Sequence, residues 1–320
     1  MPNKLTENDA EEDGEPLSQL RGWVKLSDHC RHVCEQMDSI GKALLKEPER
    51  KLSRLAARWH DRGKGHESFI ANLKPEFLRA AQTQLEGEPA AKAPDGKMQK
   101  QAKRDPEKDA WRRDRPRAAD PDDRRRPGFR HELASSLAIL ETLHQTHPNH
   151  AAFAWPEGLD KSRFDQQIAS EPQSLVTGPA AQELAALSKE DFDLLLYLVA
   201  AHHGKVRMSL RSAPDDARTD VPDPCPTNER QARGVRDNDE LTACKLPDEN
   251  GKDMEVPKVT LSLDPMELGL SARYGPSWRE RMQGLLERLG PFRLTYLEAL
   301  LRVADWRASR GEDENARKSG

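Results

Sequence analysis

The stretch LSRLAARWHDRGKG, residues 52–65, decides how this chain is read. Leu52, Leu55, Ala56 and Trp59 recur at helical spacing and predict the buried stripe of an amphipathic helix from about Pro48 to His60. The two glycines of Asp61-Arg62-Gly63-Lys64-Gly65 make continuation unfavourable, so the helix is expected to stop there. His60 and Asp61 thus place an imidazole and a carboxylate at the end of a helix that faces a core.

The same pattern recurs on both sides. Upstream, a helix is expected with Ser27 as its N-cap and with Val33, Met37, Ile40 and Leu44 on one apolar face; His29 falls in its first turn. Downstream, His131 opens a helix striped by Leu133, Leu137, Leu140 and Leu143. Ser188 caps another, whose apolar run from Leu194 leads to His202-His203 and ends at Gly204; His202 follows Leu198 and Val199 at helical spacing and so lies on the buried face. Two last helices are expected over Ser277–Leu289 and Phe292–Ser309. In the second, Asp305 follows Leu297 and Leu301 and points into the apolar side, where a carboxylate is costly unless paired or bound to a metal.

Between these helices the pattern dissolves twice, over about residues 83–128 and 212–258, where Pro, Gly and charge dominate; only Val256–Leu263 looks strand-like. The expectation is a mainly α fold: one domain over residues 19–310 with two long, partly disordered insertions. A disordered acidic lead-in over 1–18 and a disordered tail over 311–320 flank it. Residues 97–130 hold 13 Lys or Arg against 7 Asp or Glu, the most basic stretch in the chain: a solvated loop, or an arm that tracks phosphates.

Composition narrows the setting. Hydrophobic residues make up 35% and charged residues 33%, with a mean hydropathy of −0.89, so much of the chain lies outside a packed core. The net charge of −4 gives no global signal for nucleic acid, and the longest apolar run, Leu194–Ala201, is far too short to cross a bilayer. The four cysteines, Cys30, Cys34, Cys225 and Cys244, form no CxxC pair; Cys30 and Cys34, one helical turn apart, are expected to face a core. A polar, acidic beginning and reduced thiols point to a cytoplasmic protein. No GxxxxGK[ST] phosphate loop occurs, so no ATP site is expected.

Imidazoles and carboxylates gathered at helix ends suit divalent ions such as manganese, iron, nickel, cobalt or zinc. The order of these elements adds to that reading: His29; WHDRGKGHESF at 59–69; Phe129-Arg130-His131-Glu132; Ala201-His202-His203-Gly204; Ala304-Asp305-Trp306. It resembles the HD nuclease domain of the CRISPR type I helicase–nuclease, over about residues 20–310 apart from the insertions. The His-Asp dipeptide marks a broad superfamily; the FRHE and AHHG elements are more specific.

The resemblance implies an HD-domain helical bundle and a metal-dependent nuclease that hydrolyses single-stranded DNA in antiviral defence. It implies two divalent ions, manganese, nickel, cobalt, iron or magnesium. One would be held by His29, His60, Asp61 and Asp305, the other by Asp61, His131, His202 and His203, with Asp61 bridging. Lys64 would stabilise charge on the scissile phosphate, Arg130 and Arg207 would contact phosphates, and Ser309 would orient a ligand or cap backbone. The implied partners are the helicase component and the guide-RNA surveillance complex. His32 and His66 are expected beside the site or at the surface, and His144, His147 and His150 away from it. The alternatives are an HD phosphohydrolase acting on small nucleotides (deoxynucleotide triphosphates or cyclic nucleotides) and a non-catalytic module whose metal is structural.

Overall fold

The computed structural model describes residues 22–71, 73, 75–94, 126, 129–156, 158–159, 178–212 and 230–319. The chain is mainly helical. Its helices are α1 (Leu26–Leu44), α2 (Glu49–Trp59), α3 (Glu67–Ala71), α4 (Pro75–Gln84), α5 (His131–Thr146), α6 (Pro179–Ala185), α7 (Lys189–Ala201) and α8 (Trp278–Ser319), with a 3-10 turn over Arg62–Gly65. No described helix is long and apolar enough to cross a membrane.

Helices α5 and α7 form the centre. Every residue from His131 to His144, and from Phe192 to Ala201, is buried, the signature of a helix surrounded by others. Around them, α1 packs on α2 and α8, α2 on α7, and α7 on α8. Helix α8 turns sharply at Gly290, whose φ of 72° suits glycine, before Pro291, which has no N–H to give; the two expected final helices are its two limbs. Ser188 caps α7 as expected, its Oγ accepting from the Asp191 amide at 3.1 Å.

Several expectations are corrected. Helix α1 begins at Leu26, so Ser27 is not its N-cap; the Ser27 hydroxyl donates to Glu88 at 2.7 Å. Leu44 is exposed, and α1 instead buries Leu26, Cys30, Val33, Cys34, Met37 and Ile40. The supposed insertions are partly built structure. Residues 83–94 finish α4 and supply β2 (Ala90–Lys92), which pairs antiparallel with β1 (Val24–Lys25).

Residues 230–258 are likewise ordered. They carry β3 (Gln231–Ala232), β4 (Val235–Arg236), β5 (Glu240–Leu241), β6 (Cys244–Pro247) and β7 (Asp253–Val256). Beyond them lie β8 (Val259–Thr260), β9 (Leu270–Ser271) and β10 (Gly275–Pro276). The pairs β3–β4, β5–β8, β6–β7 and β9–β10 are all antiparallel, and β6 lies against α1. The expected tail over 311–320 is also corrected: α8 runs to Ser319 and buries Glu312 and Asp313. The lead-in 1–18, most of the basic stretch 97–130 and Cys225 lie outside the described residues.

One glycine lets the HD turn reach α5. A Cβ at Gly63 would stand 2.0 Å from the His131 carbonyl oxygen, and the Gly63 amide donates to Ser135 Oγ at 2.7 Å. Ser135 in turn donates to the His131 carbonyl at 2.8 Å. Gly63→Ala must therefore separate the turn from α5. We expect it to destabilise the protein by about 1–3 kcal/mol or more, read as a lowered melting temperature, because overpacking at a backbone contact has no flexible neighbour to yield.

Candidate metal centre

The ends of four helices and the middle of a fifth converge on Asp61. His29 comes from the first turn of α1, His60 from the residue that closes α2, His131 from the first residue of α5, and Asp305 from α8. His202, which closes α7, and His203 follow one another. Among the described residues, two groups have ligand atoms within 4.8 Å of one another: Asp61, His131, His202 and His203; and His29, His60 and Asp305.

Asp61 stands between the groups with one oxygen toward each. Its Oδ1 is 3.1 Å from His131 Nε2, while its Oδ2 is 3.5 Å from both His29 Nε2 and His60 Nε2. His29 Nε2 is also 3.1 Å from Asp305 Oδ1, and the Nε2 atoms of His131 and His203 are 3.2 Å apart. Nitrogens this close, aimed at each other rather than at a carbonyl, are spaced as ligands of a common ion are.

The backbone fixes which ring nitrogen is offered. His60 Nδ1 lies 2.8 Å from the Ala57 carbonyl, and His202 Nδ1 lies 2.6 Å from the Val199 carbonyl. A carbonyl only accepts, so each Nδ1 carries the proton and donates, leaving a lone pair on Nε2. Both Nε2 atoms are buried without a hydrogen-bond partner among the described residues. A buried imidazole lone pair with no donor is unfavourable unless an ion takes it, and a bond from the far nitrogen is how metal-binding histidines are held. These residues fit a divalent ion.

Electrostatics agree. Burial alone would raise the Asp61 carboxyl, but His60, Lys64 and His131 hold it well below the usual carboxylate range. Asp305 behaves likewise, with Lys92 and His29 outweighing burial. Burial, reinforced by His60 and His131, pushes His202 down to about 3; burial also lowers His60, and lowers His203 far below the ordinary histidine value. These three are neutral at physiological pH, the form that could hold an ion. His29 differs: burial works against its charge, yet Glu312 and Asp305 raise it to about 9.

The other expected residues fall as follows. Lys64 Nζ donates to Asp61 Oδ2 at 2.6 Å and to the Ala91 carbonyl at 3.3 Å, so it belongs to the centre. Ser309 Oγ donates to Asp305 Oδ1 at 3.3 Å. Arg130 is buried immediately before His131. Arg207 makes a two-point contact with buried Glu298, at 3.1 and 2.7 Å, a carboxylate that needs the countercharge. His66 stacks on Phe129 and faces Asp239 at 3.4 Å. His144 and His150 bond elsewhere, to Arg273 and to the Leu187 carbonyl. Cys30 and Cys34 are free thiols in the core, and Cys244 is also free and buried. The sequence reading missed Glu312, which touches His29 and His32.

Among known proteins, no family model, no curated protein and no solved structure matches this chain.

Because an ion takes His29 in its neutral form, binding at pH 7 must expel a proton. The sign follows from the raised value: the protonated ring stabilises the ion-free fold below pH ~6.5, and that contribution fades as pH climbs through about 9. Titration calorimetry at pH 7 in two buffers of different ionisation heat should show proton release, with affinity rising over the same pH window. Identical heats in both buffers would remove His29 from the ligand set.

Proposed function

We propose that this chain is a metal-dependent phosphodiesterase with an HD-type helical bundle, acting as a nuclease on single-stranded DNA. One observation carries the reading: buried Asp61 turns one oxygen toward each of two ligand groups, beside His60 and His202, whose Nε2 atoms have no hydrogen-bond partner among the described residues. His29, His60, Asp61 and Asp305 would hold one ion, and Asp61, His131, His202 and His203 the second. Such ions supply Lewis acidity and a hydroxide at neutral pH.

The chain's own groups do the rest. Asp61, ionised through the whole physiological range, keeps both oxygens available. His60 and His202 are locked by main-chain bonds and need no reorganisation. Lys64, held against Asp61, places an ammonium where charge develops on a phosphate during attack. His203, less buried than the other ligands, lies on the side from which a substrate enters.

Polynucleotide rather than small nucleotide is favoured by the FRHE and AHHG elements and by the basic stretch at 97–130, which a small-molecule pocket does not need. With only 5% aromatic residues, base stacking contributes little, so binding would follow the backbone without sequence preference. The resemblance to the CRISPR type I nuclease adds the proposed setting: a helicase component delivers a strand opened by the guide-RNA surveillance complex.

The test is metal-stripped protein reloaded with manganese, nickel, cobalt or magnesium and given circular single-stranded DNA, beside a panel of deoxynucleotide triphosphates and cyclic nucleotides. We expect the circle to be cut and Asp61→Ala to abolish cutting while leaving the circular dichroism spectrum unchanged. Hydrolysis of a nucleotide with an intact circle would replace the nuclease with a small-nucleotide phosphohydrolase. In the same assay Lys64→Ala should keep its bound ions but lower kcat by about 10²-fold or more, the usual loss when one charge-stabilising donor is removed. An unchanged kcat would take Lys64 out of the chemistry.

A further inference from the structure

Glu312 stands in the last turns of α8 and is 7% exposed. Its Oε1 and Oε2 lie 2.9 and 3.1 Å from His29 Nδ1, and Oε1 also lies 2.8 Å from His32 Nδ1. An ionised carboxylate only accepts, so both histidines donate to it through Nδ1. Two bonds from one carboxylate fix the His29 ring with Nε2 turned toward Asp305 and Asp61.

This arrangement differs from that of the two locked histidines described above. His60 and His202 are each oriented by a neutral carbonyl of their own helix, one turn back. His29 is oriented by a charged group 283 residues away in sequence. A charged acceptor makes the imidazole more basic and a better donor to an ion than a carbonyl does. The same helical face also carries Asp305 and Ser309. Residues 305, 309 and 312 recur at helical spacing, supplying in turn a ligand, the hydroxyl that bonds it, and the group that aims the opposite ligand.

We propose that Glu312 is the positioning residue of the His29–His60–Asp305 group, so that ion binding there depends on the end of α8 while binding at the His131–His202–His203 group does not. The proposal rests on the metal-centre reading above, and the test separates the two. Metal-stripped wild type, Glu312→Ala, Glu312→Gln and the control Glu314→Gln are titrated with manganese by calorimetry. Bound metal is counted by mass spectrometry after equilibrium dialysis. Glu314 is a suitable control because it is half exposed and pairs, among the described residues, with exposed Arg310 of the same helix.

Wild type and Glu314→Gln are expected to bind two ions. Glu312→Ala should retain one at wild-type affinity and bind the other about 10–100-fold more weakly, the usual effect of removing a carboxylate behind a metal-binding histidine. Glu312→Gln should fall between, since its amide oxygen still accepts but carries no charge. Two ions at wild-type affinity in Glu312→Ala would overturn the proposal and leave the metal centre standing, and equal weakening of both ions would overturn it too. No bound ion in wild type would overturn the metal centre itself. Should Glu312→Ala fail to fold by circular dichroism, the near-isosteric Glu312→Gln decides alone: one ion selectively weakened supports the proposal, and two unchanged ions reject it.

Discussion

A carboxylate kept ionised where water does not reach is the constraint around which this molecule is assembled. Asp61 is 1% exposed, and an unpaired charge there would cost several kcal/mol even after relaxation. Compensation comes from Lys64 three residues on and from His131 and His29 on other helices. Each of those helices must point an end at the same spot, so the packing of α1, α2 and α5 and the formation of the site are one requirement. Gly63 shows how tight it is: the turn that carries Asp61 touches the backbone of α5 where no side chain could fit.

Buried charge occurs elsewhere in the protein, and the contrast is informative. Asp193 is matched by Arg281, which also donates to the carbonyls of Ala152 and Tyr274. Glu141 is met by Arg273, Tyr274 and Gln145. In these networks donors and acceptors are paired in the way that rigidifies a core. Around Asp61 the polarity is different: among the described residues nothing donates to the acceptor nitrogens that His60 and His202 turn inward, an arrangement that could hold a cation.

Much of this was legible in the residues. The candidate ligands other than Asp305 sit at helix boundaries marked by glycine, by a cap or by the end of an apolar stripe, and the mainly helical architecture followed from those stripes. What was misread had a common cause. Residues 230–258 looked like loop because polar residues and prolines hide a period of two; yet Met254 and Val256, and farther on Val259, Leu261 and Leu263, are buried in alternation. Glu312 was lost in the charged ending RGEDENARKSG, which composition alone assigns to solvent. Its signal was the spacing from Asp305, seven residues and thus two turns along the same face. The pairing of Arg207 with Glu298 was not legible, because the two are distant in sequence.

The distance between His29 and Glu312 along the chain also governs when the centre can exist. During synthesis, Asp61, His131, His202 and His203 are all made by residue 203, whereas the His29–His60–Asp305 group is not whole until the far limb of α8 has been made and docked. Until then His29, His60 and Asp61 lack both Asp305 and the Glu312 carboxylate that fixes the His29 ring. On the proposed reading the two groups would become competent one after the other, the His131–His202–His203 group first and the His29–His60–Asp305 group only when α8 docks.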